Sequence, residues 1–369
     1  MNVPLLDLVA QYQEIRTEVR EAVDAVMDRQ EFIMGREVKA LEEELAADLG
    51  VRHALGISSG TDALLLALWV LGVGPGDDVL VPSFTFFATA GAVSRMGARP
   101  VFVDVDAQTM LMDLADARAK RTPRTRAIIP VHLFGATMDL DALEAFARDS
   151  GIHLVEDCAQ SLGAAWKGRA TGSVGAFGCF SFFPSKNLGA YGDGGLLTTQ
   201  DDELAERARL LRIHGAKPKY HHHLVGGNFR LDELQAAILR VKRRHLGRWN
   251  AGRAQVADWY DTHLGAQWRQ QLVPGGATVW HQFTITVPDG TDRSEVQRAL
   301  ADDGIGTAVY YPVPLHEQPC FANLGYTPES LPHASRLARQ VLSLPIDPSL
   351  HEAQVAFVSE RVRTLCSPR

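Results

Sequence analysis

The sequence lacks a positive balance of charge. Its 37 lysines and arginines are outnumbered by 44 aspartates and glutamates, giving a net charge of −7. Neutralising nucleic-acid phosphates takes a basic face, so nucleic acid is not expected as a main partner. Cysteine is scarce. Cys158, Cys179, Cys320 and Cys366 include no closely spaced pair, which leaves neither a zinc module nor a disulfide framework to expect. Buried free thiols in a reducing compartment are the simplest reading. No segment approaches about 18 uninterrupted apolar residues, so no membrane span is expected. The opening stretch MNVPLLDLVAQYQEIR carries Asp7 and no long apolar core, unlike a secretory signal, and a cytoplasmic location follows as the default. Internal repeats and low-complexity linkers are also missing. So is the glycine fingerprint after the first strand that a nucleotide-binding oxidoreductase would need.

What is present is an ordinary globular composition, 46% hydrophobic and 22% charged over 369 residues. At roughly 100–200 residues per domain, two domains are expected. Across 51–199, short apolar runs alternate with helical patterns. Strands are expected at 51–57, 78–81, 100–105, 127–131 and 153–156, and helices at 61–71, 85–96 and 140–148. That alternation predicts βαβ units around a mainly parallel sheet. The runs 175–182 and 194–199 follow one another with no helix between them and predict a different connection. A helix over 201–213 opens on acidic residues, and 230–246 is strongly amphipathic. Beyond it, strands at 283–287 and 306–310 and helices at 294–302 and 353–364 suggest a second, smaller region. The boundary is placed near residue 250, with the mostly helical 14–49 able to pack on either side.

Four clusters carry chemistry. The first is Lys186 in SFFPSKNLGAYGDGG, between aromatic residues and glycines. A lysine withdrawn from water becomes accessible as a neutral amine, able to form a Schiff base with a carbonyl. A solvated lysine between two strands is the plain alternative. The second cluster is Ser58-Ser59-Gly60-Thr61-Asp62, a strand-to-helix junction. Its free N–H groups and helix dipole suit a phosphate, although N-capping by Ser59 explains the same residues. Third is Asp157 in VEDCAQ at a strand end, where ligands bind open parallel sheets; a charge-assisted bond from it could hold a cationic nitrogen. Glu156 would face the other way. The fourth is PSFTFF at 82–87, whose aromatics could cover a flat ring or fill the core. A lysine, a carboxylate, an anion site and an aromatic face together meet the needs of pyridoxal phosphate.

With those residues in view, the chain resembles the DegT/DnrJ/EryC1/StrS aminotransferases, which make amino sugars on nucleotide carriers. The likeness runs almost end to end, through PLLDLVAQYQEIR, SSGTDALLLAL, VPSFTFFATA, EDCAQ, SFFPSKNLGAYGDGG, GGNFRLDELQAAIL, YYPVPLHEQ and LSLPIDPSL. It implies an α/β fold of the pyridoxal-phosphate aminotransferase type I: a large domain, 1–250, with a mainly parallel mixed sheet and helices on both faces, and a smaller α+β domain, 251–369. By the resemblance, Lys186 is the Schiff-base lysine and Asp157 the partner of the pyridine nitrogen. Gln160 lies near the ring's phenolic oxygen, and Gly60, Thr61 and Ser181 hold the phosphate. Phe86 stacks on the ring, and Asn228 reaches the phosphate of the other subunit in a homodimer with shared active sites. Arg230, Tyr311 and His316 are candidate substrate contacts. The amino donor would be L-glutamate and the acceptor a nucleotide-linked keto-sugar, most nearly a dTDP- or UDP-linked 3-keto hexose. Relatives acting on 4-keto sugars or keto-cyclitols remain alternatives, as does a regulatory cofactor-binding homologue. A branch that has lost the lysine and dehydrates sugars is disfavoured by Lys186. No metal is expected: the run His221-His222-His223 lacks ligand spacing and reads as a basic surface loop, and His132 reads as structural.

Overall fold

The computed structural model describes residues 1–366. The chain opens with α1 (Leu8–Arg29) and α2 (Arg36–Leu49), two helices broken where Gly35 caps the second. The alternating core follows: β1 (His53–Ile57), α3 (Gly60–Val70), β2 (Asp78–Pro82), α4 (Ala88–Arg95), β3 (Arg99–Val103), α5 (Leu114–Lys120), β4 (Thr125–Ile128), α6 (Leu140–Ser150) and β5 (His153–Asp157). Two short strands, β6 (Ala165–Trp166) and β7 (Arg169–Ala170), precede β8 (Phe177–Ser181), β9 (Gly195–Thr199) and α7 (Asp202–Arg212). The long α8 (Glu233–His263) leads to β10 (Gly276–Ala277), β11 (Phe283–Thr286), α9 (Arg293–Asp302), α10 (Pro332–Gln340), β12 (Val341–Leu344) and α11 (Glu352–Cys366).

A 7-stranded sheet in the order β1-β9-β8-β5-β4-β2-β3 organises the larger part. Its strands are parallel except β9, which pairs antiparallel with both β1 and β8. The missing helix between β8 and β9 therefore becomes a reversal of direction, and the loop that reverses it carries Lys186. Alternating side chains feed two cores. Phe177, Cys179 and Leu197 join α3, α4 and α6 on one face, while Phe180, Phe182 and Leu196 join α2 and α8 on the other. Burial on both faces explains why these strands read as nearly continuous apolar runs.

Beside this body, the antiparallel pair β11·β12 packs with α9, α11 and the end of α8 around Tyr260, Phe283 and Val355. Val3 lies in that second core and pairs with Ile305, so the first residues of the chain pack against its last third. The helix expected at 230–246 runs on to His263, because Trp249, Val256 and Tyr260 continue its buried stripe. We propose that the boundary near 250 falls inside this helix, between Trp249, packed with α1, and Val256, in the second core. The strand expected at 306–310 is reduced to a single bridge, Ala308 to Ser343, because β12 gives its main pairing to β11.

Candidate active site

The carboxyl ends of the parallel strands and the β8–β9 loop enclose a cavity of about 530 Å³, lined by Gly60, Thr61, Phe86, Asp157, Gln160, Ser181, Lys186 and Tyr311 among others. Its size suits a small-molecule ligand. Eight of the expected residues thus meet in one place, at the sheet edge where ligands of open α/β folds bind.

Each is placed by local structure. Ser59 caps α3, its side chain accepting from Asp62 N at 3.0 Å. The N–H groups of Gly60 and Thr61 then stand ahead of the helical ladder, free for an anion. Gly60 is there for closeness: a Cβ on it would lie 2.7 Å from the Ser181 Cβ. Helix start and strand end thus form one cradle with N–H and hydroxyl donors. Asp157, 4% exposed at the end of β5, accepts from Thr89 Oγ1 at 2.8 Å and from Ala159 N at 3.2 Å. Burial pushes its carboxyl up, against the pull of these donors and of the Lys186 charge. Lys186 is itself pushed down to about 8 by burial, with Asp157 opposing. An amine with that value is partly neutral near neutral pH. Gln160 is fixed from both ends, its oxygen accepting from Phe134 N at 2.6 Å and its nitrogen donating to the Tyr311 hydroxyl at 3.1 Å. Phe86 is 56% exposed, its ring tilted toward Tyr311 at 6.2 Å. Burial raises the Tyr311 phenol.

Three expected residues lie elsewhere. Asn228 and Arg230 sit on the extended segment after the exposed histidine loop, and Arg230 Nε donates to Asn228 Oδ1 at 2.8 Å. Neither lines this cavity. His316 also lies outside the lining of this cavity. It is 2% exposed and bound inside the protein, its Nδ1 2.5 Å from Ser83 Oγ and its Nε2 3.3 Å from Ser335 Oγ. In the 221–223 run, His222 and His223 ring nitrogens bond the His214 and Lys217 carbonyls, and no metal cluster forms there among the described residues. One grouping, His132, Glu156 and Cys158, has ligand-like spacing. Its carboxylate is already occupied by His132 at 3.0 Å and the amides of Gly172, Val174 and Gly175. His132 accepts from Met138 N at 3.2 Å through Nδ1. That is a structural lock, as expected of His132.

Sequence reading missed Thr89, placed inside an anonymous helix, and His281, which falls just before the strand expected at 283–287. His281 lines the cavity, as do Tyr310 and Gln282.

A family model, the DegT/DnrJ/EryC1/StrS aminotransferase family, matches residues 13–363. The chain belongs to this family. It is 48% identical over 367 residues, 98% of each chain, to the pleiotropic regulatory protein of Geobacillus stearothermophilus. It is 48% identical over 363 residues, 98% of this chain and 97% of the other, to a UDP-N-acetyl-3-dehydro-alpha-D-glucosamine 3-aminotransferase of Acidithiobacillus ferrooxidans. A dTDP-3-amino-3,4,6-trideoxy-alpha-D-glucose transaminase of Streptomyces venezuelae is 45% identical, with 98% and 96% covered. Among solved structures, S. venezuelae DesV superposes with a TM-score of 0.96 at 44% identity, covering 100% of this chain and 99% of that one. The putative sugar aminotransferase Spr1654 of Streptococcus pneumoniae, in its PLP-form, gives 0.89 at 26% identity, covering 95% and 96%. The α/β fold and its mixed sheet are therefore those of this aminotransferase family.

Proposed function

We propose that this aminotransferase-family enzyme uses pyridoxal phosphate to move an amino group from L-glutamate to a nucleotide-linked keto-sugar, most nearly a dTDP- or UDP-3-keto hexose. The observation that carries the reading is the single cavity that gathers Lys186, Asp157 and the Gly60–Thr61–Ser181 cradle. Its donor set fits the cofactor. The cradle offers N–H and hydroxyl groups to a phosphate. Asp157 keeps a buried carboxylate with room for a cationic ring nitrogen, and Gln160 and Phe86 border the remaining space. When bound, the cofactor supplies an electron sink conjugated to the carbon that carries the nitrogen.

The chain's own residues do the rest. The Lys186 amine would hold the cofactor at rest and, once displaced by the donor, would take the proton from the donor's α-carbon on Nζ and deliver it to the carbon on the other side of the nitrogen. Burial keeps part of it neutral for that task. Asp157 holds positive charge on the ring nitrogen, stabilising the negative charge that develops. Asn228, exposed, and Arg230, partly buried, both outside their own cavity, would serve the cavity of a second subunit in a homodimer. The 3-keto preference rests on the relatives' names, which divide between UDP and dTDP carriers.

The test is incubation of the purified protein with pyridoxal phosphate and glutamate. Formation of 2-oxoglutarate is expected, followed by an amino-sugar product from one member of a panel of 3-keto and 4-keto dTDP- and UDP-sugars, identified by mass. Lys186→Ala should abolish both. No 2-oxoglutarate from the wild type, or an active Lys186→Ala protein, refutes the reading; a 4-keto product selects the runner-up.

A further inference from the structure

His281 is 4% exposed and forms part of the wall of the cavity that holds Lys186. Its Nδ1 lies 3.1 Å from Asn187 Oδ1. The other end of that amide is fully engaged: Asn187 Nδ2 donates to Asn250 Oδ1 at 2.8 Å and to the Val279 carbonyl at 2.9 Å. A carbonyl can only accept, so the amide orientation is set, and Asn187 Oδ1 faces His281 as an acceptor. Nδ1 must therefore carry the proton. In the neutral ring Nε2 is then an acceptor and nothing else.

The surroundings keep the ring neutral. Burial comes first, and then the charges of Lys186 and Arg253, which together hold the imidazole well below its ordinary value. Arg253 is also buried, donating to the Trp280 and Ile346 carbonyls, with the Asp347 charge opposing the pull of burial on it. Asp157 and Asp193 are the carboxylates that line the cavity, beside the Tyr310 and Tyr311 phenols. Among the described residues the structure records no protein partner for Nε2. The cavity thus has an acceptor-only nitrogen in the same wall as its one lysine.

We propose that His281 is a positioning residue for Lys186: its Nε2 accepts an N–H from the free lysine amine and so aims the amine's lone pair at the carbon that loses its proton. The inference rests on the aminotransferase reading for its catalytic consequence, and on the shared cavity wall and the Asn187 tie for the contact. Asn187, next in the chain to Lys186, ties the histidine to the lysine's own loop, and Asn250 ties both to α8.

Two variants test it. His281→Asn retains a donor for Asn187 Oδ1 and places nothing where Nε2 stood. His281→Gln sets a side-chain amide near the position of Nε2, where its oxygen can accept. The first readout needs no cofactor. In the apoprotein, the pH dependence of Lys186 acetylation by acetic anhydride, read by peptide mass, reports the lysine's titration. An accepted N–H stabilises the ammonium more than the amine, so the titration falls in His281→Asn and returns in His281→Gln. The second readout is the single-turnover glutamate half-reaction. It should slow about 10- to 100-fold in His281→Asn at unchanged glutamate affinity and recover in His281→Gln, the cost of a misaimed amine. An unchanged lysine titration in His281→Asn overturns the proposal. So does a slower second half-reaction with a raised KM for the keto-sugar alone, which would give Nε2 to the sugar. If His281→Asn does not fold, His281→Gln must still match the wild type in both readouts, and a failure to do so overturns the proposal. A wild type with no glutamate reaction refutes the functional reading and leaves the acetylation test standing.

Discussion

Replacing Glu156 by glutamine should destabilise the fold far more than its small change in shape suggests. The side chain is fully buried. Its Oε2 accepts from His132 Nε2 at 3.0 Å and Gly172 N at 2.9 Å, and its Oε1 from Val174 N at 2.9 Å and Gly175 N at 3.0 Å. The backbone donors cannot reverse. The imidazole cannot reverse without cost either, because Met138 N donates to its Nδ1 and leaves the proton on Nε2. Glutamine brings one oxygen and one NH₂ group, so in either orientation NH₂ is set against two donors. Each buried donor left unserved costs about 1–3 kcal/mol, and with two unserved a loss of about 2–6 kcal/mol is expected. That is a large share of a typical stability of about 5–15 kcal/mol. Urea unfolding of the cofactor-free protein at fixed concentration, followed by circular dichroism, should show a lower midpoint at an unchanged slope. The pH dependence fixes the sign. Burial alone would raise the carboxyl of Glu156, but His132 and the backbone amides outweigh it and hold it below its ordinary 4.5. A depressed folded value means stability present above the unfolded value and lost as pH falls through the folded one. The gap between wild type and Glu156→Gln should therefore be widest near neutrality and close in acid. A midpoint shift worth less than about 1 kcal/mol, or a gap that acid does not narrow, refutes the reasoning.

Asp157→Asn removes the charge that supports the Lys186 ammonium, so the lysine should titrate below its present value of about 8, as read by acetylation against pH. Transamination by the same variant should fall about 100-fold or more as the ring nitrogen loses its counter-charge. Thr89→Val keeps the shape but takes away the 2.8 Å hydroxyl donor to Asp157, which should cost about 1 kcal/mol in thermal unfolding. Gly60→Ala places a Cβ 2.7 Å from the Ser181 Cβ and 3.1 Å from its Cα, so the start of α3 must back away. Overpacking of this kind costs about 1–3 kcal/mol, and the dissociation constant for pyridoxal phosphate, by fluorescence titration of the apoprotein, should rise about 10-fold.

The alternation of strands and helices was legible because the parallel strands are buried on both faces and separated by capped helices. Asp157 ends β5, Gly60 opens the helix after β1 and Lys186 lies in the loop between β8 and β9, positions that the alternation of strands and helices marks out. Three kinds of feature escaped. The two-residue strands β6, β7 and β10 carry no period to detect, and β12 follows α10 without a break between them. The end of α8 was placed too early, because its buried stripe changes partners from α1 to the second core. His281 and His316 are the instructive pair. Both are histidines near apolar residues, yet one borders the cavity and the other is buried outside its lining. What separates them is long-range: Asn187 for His281, and Ser83 and Ser335 for His316. No window of sequence contains those partners.

Two adjacent carboxylates on β5 show how one strand builds both a lock and a site. Glu156 and Asp157 are both buried, yet the first is held low and the second is pushed up. Depth of burial cannot separate them. The count of donors can: among the described residues, Glu156 accepts from His132 and three backbone amides, whereas Asp157 accepts from Thr89 and Ala159 alone. In a dry environment, charge is settled by the groups that reach the oxygen atoms. Glu156 needs no further partner, so a ligand at its face would have to displace bonds already made. Asp157 keeps acceptor capacity turned toward the cavity, and Lys186 is the cation that tempers its rise. A cationic nitrogen arriving there would gain a counter-charge with little to displace. The pleat directs the two side chains to opposite faces. The unequal supply of donors makes only one of them available for binding.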